Sequence, residues 1–154
     1  MGLTIVLGYD GSDCSKRALT TVAGLLRQLP DARVVVVQGY DIFMGFVPPG
    51  MTSSTLMMAG ELEAQVQAVE EAGRRHVDEA RAELEEAGIA VETAVSPGGA
   101  VPALLQAVED FSADMIVIGS HGEGALSGAI MGSTAYRILH RSPVPVLVVP
   151  LREE

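Results

Sequence analysis

Five short apolar runs, each parted from the next by a stretch of helical periodicity, constrain this chain more than any other feature. TIVLGY (Thr4–Tyr9), RVVVVQG (Arg33–Gly39), IAVETAV (Ile89–Val95), MIVIG (Met115–Gly119) and PVLVVP (Pro145–Pro150) are short and rich in β-branched residues, as buried strands are. The unbroken valines of the second run suit a parallel strand covered on both faces. Between the runs, Ala18, Leu19, Val22, Leu25, Leu26 and Leu29 recur every three or four residues and predict a helix over Ser15–Leu29. Leu62, Val66, Val69, Val77, Ala80 and Leu84 predict a second helix over Glu61–Ala87, with Gly88 as the residue that ends it. Val101, Leu104, Leu105 and Val108 mark a third, ending near Phe111, and Gly132 to His140 read as the last. Strict alternation of strand and helix predicts an α/β fold, an open five-stranded parallel sheet with helices on both faces. The 154 residues and 16.1 kDa fit one domain spanning residues 1–154. Such a domain buries roughly 70% of its unfolded surface and needs no disulfide or structural metal.

Composition removes several function classes. A net charge of −10 with no basic stripe excludes nucleic acid as a partner. From Glu61 to Glu86 there are nine Asp or Glu against three Arg, the composition of an exposed helix face. The single cysteine, Cys14, allows neither an internal disulfide nor a Cys-rich zinc site and fits a reducing compartment. The opening MGLTIVLGYDGS has no basic segment ahead of its apolar run, and no run approaches the ~20 residues that span a bilayer. The expectation is a soluble, cytoplasmic protein without a membrane partner.

In a doubly wound sheet, ligands sit beyond the carboxyl ends of the strands, where the strand order reverses. Two polar turns follow such ends here, Asp10–Asp13 after the first strand and Gly119–Gly122 after the fourth. The second opens GSHGEGALSGAIMGST, Gly119 to Thr134, with five glycines, no Lys and no Arg. It is not a Lys-bearing phosphate loop, and GYDGSD after the first strand has the wrong spacing for a dinucleotide fingerprint. What it offers is backbone: glycines let amide N–H groups approach an anion, and Gly132-Ser133-Thr134 sits where a helix begins. Each charge–dipole contact contributes only ~0.3–1 kcal/mol when exposed, so several must act together. On these grounds a phosphate cradle and a flexible turn ending in a helix cap both stay open.

The spacing Gly119-x2-Gly122-x9-Gly132-Ser133 resembles the nucleotide-binding motif of the universal stress protein family, in its ATP-binding branch. VLGYDGSDCSKRAL resembles that family's opening strand and helix, and ADMIVIGSHG and SPVPVLVVP its closing strands, so the likeness covers nearly the whole chain. The resemblance implies a Rossmann-like sheet of order 3-2-1-4-5, akin to the adenine nucleotide alpha hydrolase-like fold. It also implies a homodimer through the last strand, Val146–Val149, and an adenine nucleotide, ATP with Mg²⁺, as ligand. By position, Asp10 matches the acid near the adenosine, with Gly8 and Tyr9 beside it, and Gly39 falls at a backbone contact to adenine. Gly119, His121 and Gly122 would line ribose and phosphate, and Gly132, Ser133 and Thr134 would hold the phosphates. Ile118 and Met131 complete the cofactor-binding set. Where many relatives carry basic residues, this chain has Glu123 and Gly128. A glutamate near a triphosphate is repulsive, so either a divalent cation compensates, or Glu123 points to solvent, or affinity is weak or favours fewer phosphates.

Other residues carry a sharp and a plain reading. Asp10 and Asp13 lack the acceptor Asp and the Lys that a phospho-receiver needs after its third and fifth strands, so Asp13 reads as a helix N-cap or first-turn acid. His121 has no nucleophile or carboxylate placed beside it in sequence, and His76 and His140 lack metal-ligand spacing. Cys14 reads as packing or capping rather than redox chemistry. Phe43–Met58 holds four of the seven methionines around Pro48-Pro49-Gly50 and reads as a long loop, either a lid or surface for a protein partner or simply cover for the sheet edge. The leading functional expectation is a nucleotide sensor or switch, not an enzyme, with little or slow ATP hydrolysis. The alternative is a dimeric interaction module of the same fold that binds no nucleotide. An adenylyl-transfer enzyme would need a glycine- and serine-rich loop that GYDGSD does not supply.

Overall fold

The computed structural model describes residues 2–42, 53–122 and 131–151. Strands β1 (Thr4–Gly8), β2 (Arg33–Tyr40), β3 (Ala90–Pro97), β4 (Met115–Gly119) and β5 (Val146–Val149) alternate with helices α1 (Asp13–Leu26), α2 (Ser53–Glu86), α3 (Ala100–Phe111) and α4 (Ser133–Arg141). The strands form one sheet, parallel as the alternation predicts and in the order β3-β2-β1-β4-β5 that the resemblance implies. The order reverses between β1 and β4, so a crevice opens between their carboxyl ends.

Side-chain alternation along the strands explains the two layers of core. Ile5 and Leu7 of β1 and Val34 and Val36 of β2 face α1 and α2, where they meet Leu19, Val22, Val77, Ala80 and Leu84. Val6, Val35 and Val37 face the other way, onto Val101, Leu104 and Val108 of α3 and Ile138 of α4. Burial on both faces is why β2 reads as a run of valines rather than an alternating strand.

Helix ends follow local chemistry. Ser12 caps α1 by accepting from the Ser15 N–H at 3.3 Å, which leaves Asp13 as a first-turn acid complementing the helix dipole. Gly88, at φ +79°, ends α2, and Ile89 N–H returns to the Leu84 carbonyl at 3.1 Å.

One boundary is corrected. The helix expected over Glu61–Ala87 begins at Ser53 and runs 34 residues, so Ser53–Met58 belong to a helix and not to a loop. The loop reading rests on Pro48-Pro49-Gly50 and the clustered methionines, and Gly60 does not stop the helix: glycine inside an exposed helix costs only about 1 kcal/mol, and about two turns before it and seven after it outweigh that. At about 1.5 Å per residue α2 is far longer than the strands it covers. Between Ala59 and Glu86 its buried positions are Gly73, Val77, Ala80 and Leu84, and nothing from Ala59 to Ala72 is buried. The rest of the expected Met-rich loop, residues 43–52, lies outside the described residues. No helix among the described residues is long and apolar enough to cross a membrane.

Candidate functional site

The crevice between β1 and β4 is built from four turns. After β1, the Asp10 carboxylate accepts from the Ser12 N–H at 2.9 Å through Oδ1, an Asx turn that directs the chain into α1, and Gly11 takes φ +80° to complete it. After β4, Ser120 N–H donates to the Val149 carbonyl at 2.9 Å and carries the β4–β5 pairing one residue past the strand. The chain returns at Gly132, whose N–H donates to the Ser120 carbonyl at 2.6 Å. That bond pins the two ends of the glycine-rich loop together. The fourth turn is Gly98-Gly99, both at positive φ, which swings the start of α3 over the end of β2.

The start of α4 is the chemical centre of this crevice. Gly132 is its N-cap and supplies no side-chain hydrogen bond, and the first helical bond is Tyr136 N–H to the Gly132 carbonyl at 3.0 Å. The amides of Ser133, Thr134 and Ala135 therefore precede the helical ladder and carry the positive end of its dipole, with two hydroxyls beside them. Such an array accepts anionic oxygens without any cationic side chain. Among the described residues lining the crevice there is no Lys or Arg, and Asp10 is the acidic side chain.

Gly8, Tyr9, Asp10, Gly39, Ile118, Gly119, His121, Gly122, Gly132, Ser133 and Thr134 all line this one pocket. Met131 does not; it is 36% exposed and outside the lining. Glu123 and Gly128 lie outside the described residues. Several glycines are demanded by close packing rather than by a ligand. A Cβ at Gly119 would stand 2.9 Å from the Cys14 backbone, one at Gly122 would stand 2.8 Å from Asp10 Oδ2, and one at Gly8 would stand 2.8 Å from Ile118 Cγ2. At Gly39 it would stand 2.1 Å from the Gly99 carbonyl oxygen.

Sequence reasoning missed Gln38, Ala100, Leu104 and Ser120, which also line the pocket. Gly98-Gly99 was the available signal for Ala100, since a double glycine after a strand marks a helix brought in close. His76 is not a ligand: its Nδ1 donates to Gln38 Oε1 at 3.0 Å, beside Gly11. Among the described residues no group of three or more His, Cys, Asp or Glu is placed to hold a metal.

Tyr9 contributes backbone to the crevice while its ring packs in the α1–α2 core, 6% exposed. Burial pushes its phenol upward, and Glu79, Glu83 and Asp10 add to the effect. The folded protein thus keeps the proton at a pH where the unfolded chain gives it up. Stability is full below the unfolded value of about 10 and falls as pH rises beyond it. Urea unfolding at successive alkaline pH values should show a steeper fall for the wild type than for Tyr9→Phe; equal slopes would contradict the buried ring.

Residues 1–150 match the model of the Universal stress protein family. The chain is 34% identical over 147 residues to a Thermus aquaticus protein described as the universal stress protein in the QAH/OAS sulfhydrylase 3′ region, covering 95% of this chain and 97% of that protein. Among solved structures it is similar to hypothetical protein MJ0577, with TM-score 0.83 and 22% identity over 100% of this chain and 99% of that one. It is also similar to a universal stress protein solved in complex with cAMP, with TM-score 0.63 and 22% identity over 96% and 97% of the two chains.

Proposed function

The chain belongs to the universal stress protein family, and from that premise we propose that it binds an adenine nucleotide, ATP with Mg²⁺, as a cytoplasmic sensor or switch. The observation that carries this reading is the uncapped start of α4, closed onto Ser120 beside Gly119 and Gly122 at the point where the strand order reverses. The amides and hydroxyls of Ser133 and Thr134 would hold phosphate oxygens, and Asp10 with the backbone of Gly8, Tyr9 and Gly39 would hold the adenosine. The relative solved with cAMP supports an adenine nucleotide as the class of ligand.

The electrostatics of the pocket argue for the cation. With no Lys or Arg among its described lining residues and Asp10 present, a polyphosphate meets only amide dipoles, and Mg²⁺ would supply the missing positive charge. Hydrolysis is expected to be slow. Asp10 Oδ1 accepts from the Ser12 N–H and His121 Nδ1 meets Ser120 Oγ, which supports a holding role for both side chains. Equilibrium binding of labelled ATP should be saturable with Mg²⁺ and markedly weaker in EDTA. An absence of saturable binding in both would leave the interaction-module reading standing instead.

Dimerisation is part of the proposal. β5 is an edge strand with Val146, Leu147 and Val148 only half-buried, and Tyr136 and Leu139 lie 59% and 45% exposed on one face of α4. A bare edge beside apolar side chains calls for a cover, and a second copy pairing through Val146–Val149 supplies one. Sedimentation should give a dimer, and a Tyr136→Glu, Leu139→Glu variant should sediment as a monomer. A wild-type monomer across the micromolar range would exclude it.

A further inference from the structure

The turn that carries Asp10 is closed within itself but leaves the sheet early. Asp10 Oδ1 accepts from the Ser12 N–H at 2.9 Å, and the Ser12 carbonyl accepts from the Lys16 N–H and the Ser15 hydroxyl, each at 2.9 Å. These bonds fix the shape of the turn. They do not fix its distance from β2. The register of β1 with β2 ends at Gly8 and Val37, and among the described residues the last backbone bond between the two is Tyr9 N–H to the Val37 carbonyl, at 2.9 Å. Beyond it, Asp10–Ser12 and Gln38–Tyr40 run on at the edge of the crevice with no backbone bond joining them.

His76 of α2 reaches both. Its Nδ1 lies 3.0 Å from Gln38 Oε1. The far edge of the same ring lies against Gly11, where a Cβ would stand 3.0 Å from both Cδ2 and Nε2 and 3.4 Å from Cε1. Gly11 also takes φ +80°, so backbone and ring each demand glycine there. The ring stands on a firm base. Gly73, three residues earlier, lets α2 approach the sheet closely, since a Cβ there would stand 3.1 Å from Val95 Cγ1 and 3.7 Å from Gln38 Cδ. Val77, the next residue after His76, is 2% exposed in the core. A half-buried imidazole is thus held between the exits of β1 and β2, with its donor on one and its edge on the other.

We infer that His76 is a positioning residue, which from α2 sets the separation of the Asp10 turn from the end of β2 and so the shape of the adenosine half of the crevice. The ligand half of this inference rests on the nucleotide reading above; the bracing half does not. Asp10 and Gly39 stand on the two exits that His76 joins, Asp10 beside Gly11 and Gly39 beside Gln38. A ligand that touches both must find them at one spacing, because hydrogen bonds weaken steeply when their geometry is lost. Phosphates at the start of α4 lie outside this brace, so His76 bears on the nucleoside and not on the phosphates.

The bracing half is tested by NMR on the ligand-free protein. In the wild type, cross-relaxation should link the ring protons of His76 to Gly11 Hα, and its absence would overturn the inference without any variant. In His76→Ala the Ser12 amide, which closes the Asp10 turn, should exchange with solvent about tenfold faster, as in local opening, while the core amide of Val35 keeps its wild-type rate. Equal acceleration at both sites would mean a merely structural role and would overturn it. His76→Asn keeps an amide donor for Gln38 but lacks the ring edge, so it should behave as the alanine variant does; wild-type exchange at Ser12 would overturn it. The ligand half is tested by calorimetric titration of folded His76→Ala with ATP and with AMP. Both should bind about threefold to tenfold more weakly than to the wild type, and by the same factor, as when one hydrogen bond is lost. Unchanged affinities, or a larger loss for ATP than for AMP, would overturn the ligand half. No binding of either nucleotide to the wild type would overturn the nucleotide reading itself and leave the brace to the exchange rates.

Discussion

Gly39→Ala is expected to lower the melting temperature by about 6–12 °C, a large effect for a single methyl group. The added Cβ would stand 2.1 Å from the Gly99 oxygen, 2.4 Å from its carbonyl carbon and 2.7 Å from Ala100 Cα. All three are backbone atoms, so no rotamer change relieves the clash. The turn is also held from the other side, because Gly98 N–H and Gly99 N–H both donate to the Tyr40 carbonyl, at 2.9 Å and 3.1 Å. Making room means breaking those bonds and lifting α3 from β2. Overpacking of this kind costs about 3 kcal/mol, and a domain of this size loses roughly 2–4 °C per kcal/mol. Gly60→Ala is the control, since nothing lies within 4 Å of the new Cβ and α2 continues through it. It should be neutral or slightly stabilising. Thermal unfolding followed by circular dichroism checks both, and equal melting temperatures for the two variants would refute the packing argument.

Gly132→Val is expected to weaken ATP binding at least about tenfold while leaving most of the fold intact. The backbone there, at φ −72°, accepts any residue, so the objection to valine is space. Its Cβ would stand 3.0 Å from the Ser120 oxygen and 3.3 Å from His121 Cα, where Gly132 N–H already closes the loop at 2.6 Å. The start of α4 must then back away from the crevice, taking the Ser133 and Thr134 amides with it. Hydrogen bonds to a charged ligand are worth about 1.5–3 kcal/mol each, so losing one gives tenfold or more. Ala135 and Ile138, 2% and 0% exposed, still seat α4 on the core, and stability should fall only modestly. Calorimetric titration of the folded variant settles the matter; undiminished affinity would show that α4 does not hold the phosphates.

Much of this was legible in the residues. The β-branched runs placed all five strands to within a few positions, most plainly β1, β2 and β4, since a strand covered on both faces has little room for polar side chains. The polar turns at Asp10 and Gly119 pointed to the crevice because connectivity alone puts both at carboxyl ends of the sheet. Less could be read where a residue's role depends on something distant in the chain. Gly39 read as a backbone contact for a base, but its lack of a side chain answers to Gly99, which no local pattern links to it. Tyr9 read as part of the pocket, yet strand alternation turns its ring into the opposite layer. The first turns of α2 read as part of the Met-rich loop after Pro48-Pro49-Gly50, although the helix already begins at Ser53 and Gly60 costs too little to interrupt it.

What the sequence determined by itself, then, is the layer architecture and the end of the sheet where a ligand would sit. Both follow from hydrophobic period and connectivity, which are properties of neighbours along the chain. Only the tertiary structure decided which groups face one another across that end: Gly39 against Gly99, Gly132 on Ser120, and Cys14 between Val149 and Ser120. Those contacts span from 12 to 135 residues of chain. They exist because packing five strands side by side brings their loops to one edge, and hydrogen-bond chemistry then acts over ångströms with no regard for sequence distance.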